Sequence, residues 1–182
     1  YRAWGSDGST NTTGGNENTF IGSLSGSGTW TTAGCDGNTA VGYGTIAGAL
    51  NGAGNNTAVG KNAMATIITG DGNVAIGGYS MDDTDAHANT GASANNIFVG
   101  YYSGSGTWAA TQTDNAIGIG AYALYGALDN VDGTVAIGGN ALQALTSGAG
   151  NIAIGYNALA QHTTGARNIA IGYGAMDETA GD

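Results

Sequence analysis

The sequence predicts an all-β fold, a parallel β-solenoid of about nine coils of 17–23 residues. Three observations carry this. A short phrase recurs through the chain: Asn, a β-branched residue, a small residue, Ile or Val, then Gly. Its nine copies end at Gly22, Gly42, Gly60, Gly77, Gly100, Gly120, Gly138, Gly155 and Gly172, with spacings of 20, 18, 17, 23, 20, 18, 17 and 17. Such a unit is too short for two helices and a turn. Composition agrees: Gly supplies 36 of 182 residues and Pro none, while 41% of residues are hydrophobic and only 9% charged. That balance opposes disorder, and collagen would need Gly at every third position together with Pro.

Each part of the unit has a local reason. The β-branched residues around the small one read as a strand, with alternate side chains on opposite faces. The invariant Gly suits a bend that needs positive φ or close backbone approach. A second short apolar pair follows and reads as a second strand. Gly, Asn, Asp and Thr then supply the turn. Asn stands four residues before the Gly in seven copies, the exceptions being Ala116 and Thr134. At that corner Asn suits left-handed backbone geometry and a side-chain amide ladder between coils. Stacking at the strand spacing of about 4.8 Å makes nine coils a rod roughly 40 Å long. The left-handed hexapeptide helix is rejected, and acyltransferase chemistry with it. It needs an aliphatic residue every six positions, and here one Ile/Val-Gly step occurs per coil.

A longer repeat lies above the short one. An offset of 78 residues maps the first four glycines onto Gly100, Gly120, Gly138 and Gly155, and Ser25-Gly-Ser-Gly-Thr-Trp30 onto Ser103-Gly-Ser-Gly-Thr-Trp108. The expected organisation is an incomplete coil or linker at 1–17 and a repeat domain at 18–176. Within that domain a four-coil block, 18–95, is duplicated at 96–173. Residues 177–182 form the C-terminal end. The chain opens on Tyr1 with no initiator Met or leader, as an internal or processed segment would.

Compensating exchanges assign the faces. Two residues before the Gly the usual residue is Ala, but copies one and five have Phe20 and Phe98. In the same copies the Leu or Met expected four residues after the Gly is Gly26 and Gly104. Large replaces small where small replaces large, so both columns share one packed interior. The flanking β-branched columns then point outward, yet they carry no charge. A strand apolar on both faces is buried on both. In a thin solenoid the second burial requires another chain, most simply a parallel bundle of three. The expected trimer-interface column is Ile21, Val41, Val59, Ile76, Val99, Ile119, Ile137, Ile154 and Ile171.

NTAVGYGTI, NNTAVGKNAM and GNIAIGYNAL resemble the head repeats of YadA-like trimeric autotransporter adhesins, and more closely the NTAVGYxAL arrays of phage tail-fibre and bacterial extracellular fibre proteins. The resemblance covers about Asn18 to Met176. It implies a trimeric, left-handed parallel β-roll at the cell surface, outside the cell or on a virion. The adhesin repeat is typically shorter and lacks the SGSGTW inserts, which favours the fibre reading over the adhesin one.

Candidate chemistry is sparse. Thirteen acids against three bases give a net charge of −10, and Arg2, Lys61 and Arg167 are widely separated, which argues against phosphate neutralisation on nucleic acid. No apolar run approaches a membrane span. No cofactor motif appears; Gly52-Ala-Gly54 lacks the Lys and helix of a phosphate loop. Asp82, Asp83 and Asp85, followed by His87, could hold a cation through oxygen ligands, although a solvated acidic loop is the simpler reading. Trp30 and Trp108 could stack on a glycan; the simpler reading has each ring folded back onto its own enlarged coil. Cys35, His87 and His162 are the only thiol and imidazoles, and nothing in their spacing marks a nucleophile pair. A Thr-array ice-binding face fails because the Thr column turns to Val and Ile after Thr57. A glycan depolymerase would need clustered carboxylates in a groove. The expectation is a non-enzymatic fibre segment that self-associates and possesses an attachment role, with an adhesin head binding glycan or matrix as the alternative.

Overall fold

The computed structural model describes residues 3–4, 17–28, 30, 34–83, 93–108 and 112–177. It is a parallel β-solenoid with no helix among these residues. The strands are β1 (Ala3–Trp4), β2 (Thr19–Ile21), β3 (Thr39–Val41), β4 (Thr57–Val59), β5 (Val74–Ile76), β6 (Ile97–Val99), β7 (Ile117–Ile119), β8 (Val135–Ile137), β9 (Ile152–Ile154) and β10 (Ile169–Ile171). They form one sheet in chain order. β2 to β10 are all parallel and pair column on column, as in Thr39↔Thr57, Ala40↔Ala58 and Val41↔Val59. Every coil therefore presents the same sequence column at the same place, whatever the length of its loop. β1 departs from this pattern. It pairs antiparallel with β2, Trp4 opposite Phe20, so part of the segment expected as a partial coil or linker lies along the first strand of the stack.

The invariant glycines meet both demands read from the sequence. Gly42 has φ +141° and Gly60 +138°. A Cβ on Gly42 would also run into the carbonyl oxygen of Gly60 in the next coil, and one on Gly60 into that of Gly77. The bend is stacked too, with Gly42 N donating to Ile21 O and Gly60 N to Val41 O, both at 2.8 Å.

Two local expectations are corrected. The apolar pair after the Gly is not a strand. Positions two and four beyond the Gly adopt left-handed φ, as at Asn140 (57°), Leu142 (50°), Asn157 (56°) and Leu159 (51°). Alternating backbone hand cannot stay extended, yet coil-to-coil hydrogen bonds persist there, Leu124 N to Ala141 O at 3.1 Å for example. The second correction concerns Asn. The left-handed corner falls one residue earlier than the Asn column, at Asn55, Asn95 and Asn115, each with φ near 58°. The Asn column itself forms the amide ladder. Asn56 Nδ2 donates to Asn38 Oδ1 at 3.1 Å and to Gly70 O at 2.9 Å, while its Oδ1 accepts from Asn73 N at 2.9 Å. The same pattern joins Asn73 to Asn96 and Asn151 to Asn168.

The interior holds the predicted columns. Ala40, Ala58, Ala75, Phe98, Ala136 and Ala153 are fully buried from the strands, and Ile46, Met64, Leu124, Leu142 and Leu159 from the bend. Leu50, Ile67, Leu128 and Leu145 close the far side. The shared volume is explicit in coil five: a Cβ on Gly104 would lie 2.5 Å from Phe98 Cδ1. A Cβ on Gly118, the same column one coil later, would lie 2.6 Å from that atom. Phe98 thus fills space belonging to two neighbours.

Candidate functional site

The strands hold one extended surface in place. With Ala inward, the residues on either side of it point out, and parallel register aligns them into two uncharged columns along the sheet. In the single chain Val59, Ile76, Ile119, Ile137 and Ile154 are 36–41% exposed, and Ile21 and Ile171 at least half exposed. Val41 and Val99 are partly buried in the same line. All nine residues of the expected interface column lie on this outward face. Stacked neighbours cover the flanks of each side chain and leave its tip to solvent. A continuous β-branched stripe facing water is an unmet burial demand.

The aromatic candidates separate. Trp108 is buried at 2% exposure, its ring edge-on to Phe98 with centroids 5.8 Å apart, and its Nε1 donates to Gly104 O at 2.9 Å. It is withdrawn as a stacking platform for sugar, since both ring and donor are used internally. Trp30 is partly buried with its ring edge-on to Phe20, centroids 5.3 Å apart, but its buried Nε1 finds no hydrogen-bond partner among the described residues. In both coils a Phe ring fills the space left where Gly replaces Leu, and the Trp packs edge-on against that Phe.

The acidic segment is held by its neighbours. Asp83 Oδ2 accepts from Thr107 Oγ1 at 2.7 Å, and Asp82 O accepts from Thr66 Oγ1 at 2.7 Å. Partial burial pushes the Asp82 carboxyl up to about 6, the nearby Asp83 charge adding to the effect. Asp85 and His87 lie outside the described residues. Among the described residues no three His, Cys, Asp or Glu side chains come together as metal ligands would. Cys35 is buried just before β3 and His162 just after β9, so the stacking order keeps them in distant coils.

Sequence reading missed a tyrosine corner immediately after the bend. Tyr79, Tyr102 and Tyr122 occupy one column in three successive coils and stack face to face, 4.8 and 5.6 Å apart with planes within 8°. Lys61 Nζ lies over the Tyr79 ring at 5.4 Å. A hydrogen bond to Tyr79 raises the Lys61 ammonium above its ordinary value. Desolvation in the stack pushes the Tyr102 phenol up, helped by Tyr101, Tyr79 and Asp82. Tyr101 and Tyr125 flank the column edge-on. The signal was present as aromatic residues one or two places after successive glycines, but their contact depends on coil stacking.

Compared with protein-family models, curated proteins and solved structures, the chain matches none. Among the described residues no helix is long and apolar enough to cross a membrane.

Proposed function

We infer that the chain is a non-enzymatic structural segment of a trimeric extracellular or virion fibre, a left-handed β-roll whose stacked coils give a rigid shaft and carry surface attachment. One observation carries this reading: the two uncharged β-branched columns that β2 to β10 leave half-exposed on the outer face of a continuous sheet. Removing such columns from water drives association, and three parallel copies sharing an axis bury one face of each. The fibre-like repeat phrases NNTAVGKNAM and GNIAIGYNAL support the setting. The absence of Lys and Arg clusters in the sequence fits a partner other than nucleic acid. An adhesin head binding glycan or matrix is the second reading, favoured by the tyrosine corner rather than by the columns. Light scattering on the purified chain tests the first. A mass of about 53 kDa, three times the 17.7 kDa chain, is expected, and a stable monomer refutes it.

A further inference from the structure

We propose that Asn51 is a site of spontaneous covalent modification: the backbone nitrogen of Gly52 attacks its side-chain amide and leaves aspartate or isoaspartate on the surface of the rod. This goes beyond the fibre reading and does not depend on it. The step is intramolecular. Gly52 N bonds to Asn51 Cγ, the Cγ–Nδ2 bond breaks, and the proton of Gly52 N leaves with the ammonia. Water then opens the five-membered ring at either carbonyl, so the net change is one amide exchanged for one carboxyl.

Two conditions decide which asparagine reacts. The nitrogen that follows it must be disengaged, and the side chain that follows it must not crowd the approach. Asn51-Gly52 is the only Asn-Gly step in the chain. Both residues are exposed, next to buried Leu50 on the side of the coil away from the sheet. The Gly52 N–H donates to no acceptor among the described residues. A Cβ on Gly52 would meet no heavy atom within 4 Å, and its φ of +80° suits glycine. The ladder asparagines fail on both counts. Thr39 N, after Asn38, donates to Asn56 O; Val74 N, after Asn73, donates to Asn96 O; both are 2.8 Å long. The nitrogen is thus locked into the next coil, and the residue bearing it is β-branched and stiff. The corner asparagines fail on the first count: Asn56 N, after Asn55, donates to Asn38 Oδ1 at 3.0 Å. The product matters to the stack. Asn51 N donates to Ile68 O at 2.6 Å, joining two coils. An isoaspartyl link adds a methylene to the backbone at that bond and loosens it, and either product adds one negative charge to the net −10.

The test incubates the whole folded chain in mildly alkaline buffer, beside a sample of the same chain unfolded in guanidinium. Both are then digested and sequenced by mass spectrometry with fragmentation that separates aspartate from isoaspartate. In the folded sample the peptide carrying Asn51 should gain about 1 Da, as a mixture of the two products, while the ladder peptides stay unchanged. Ion exchange on the intact protein should show a growing species more acidic by one charge. Gly52→Ala should slow its appearance about tenfold, through the added Cβ and the narrower backbone range. Asn51→Gln, whose longer side chain would need a six-membered ring, should remove it without adding charge. In guanidinium the ladder asparagines should lose their protection and begin to react. Asn51 unchanged in the folded chain but modified in the unfolded one would overturn the proposal, because the fold would then shield the site. Ladder asparagines modified as fast as Asn51 in the folded chain would overturn it as well, because the locked nitrogens would then protect nothing.

Discussion

Phe98 is the place where the packing can be tested most directly. The residue is fully buried, and its ring occupies the space of a Leu side chain at Gly104 and a methyl at Gly118. Phe98→Ala empties both and removes the surface on which Trp108 packs. The expected cost is about 3–5 kcal/mol per chain, the usual range for deleting a buried aromatic ring. Gly104→Leu alone drives a side chain into the ring and costs about 1–3 kcal/mol. Its left-handed backbone, φ 64°, is no bar, because Leu124, Leu142 and Leu159 hold the same column at about 50°. Combining Phe98→Ala with Gly104→Leu should recover part of the loss, with a coupling above about 0.5 kcal/mol. Adding Gly118→Ala completes the arrangement of Ala136, Leu142 and Ala153 and should recover more. Guanidinium denaturation at one fixed chain concentration reads these differences, since an oligomer's stability depends on concentration. Additive effects across the set would mean the three positions share no volume, and the inward assignment of the Ala and Leu columns would fall with it.

Two further outcomes are expected. Ile137→Asp places a charge in the middle of the outward apolar column and should shift the light-scattering mass toward the monomer, whereas Gln161→Asp, exposed in a loop, should not; equal behaviour would refute the interface assignment. Asp82 has a carboxyl near 6 in the fold against about 3.8 unfolded, so the folded chain holds its proton more tightly and stability falls as pH rises through that window. Asp82→Asn should therefore gain in thermal midpoint over the parent at pH 7 and lose that advantage at pH 4; parallel pH profiles would refute it.

Much of the architecture is legible from residues alone, because a solenoid repeats its constraints. The Gly column marks the bend, and stacking demands at Gly42 and Gly60 the same two things, positive φ and no Cβ. Alternation around Ala40 and its equivalents separates inside from outside. The exchange of Phe98 with Gly104 is readable because both positions lie in one coil. Relations between coils are less so. Gly118 shares the Phe98 volume from one coil further on, and nothing in a per-coil alignment links them. Leu142 and Leu159 take left-handed backbone against their own preference because coil-to-coil hydrogen bonds and burial outweigh a local cost of about 1–2 kcal/mol. The same neighbours draw Trp108 inward and leave Tyr101 outside. A column tells which way a side chain leaves its strand, but the volume above and below it, set by other coils, decides whether the ring ends in the core or in water.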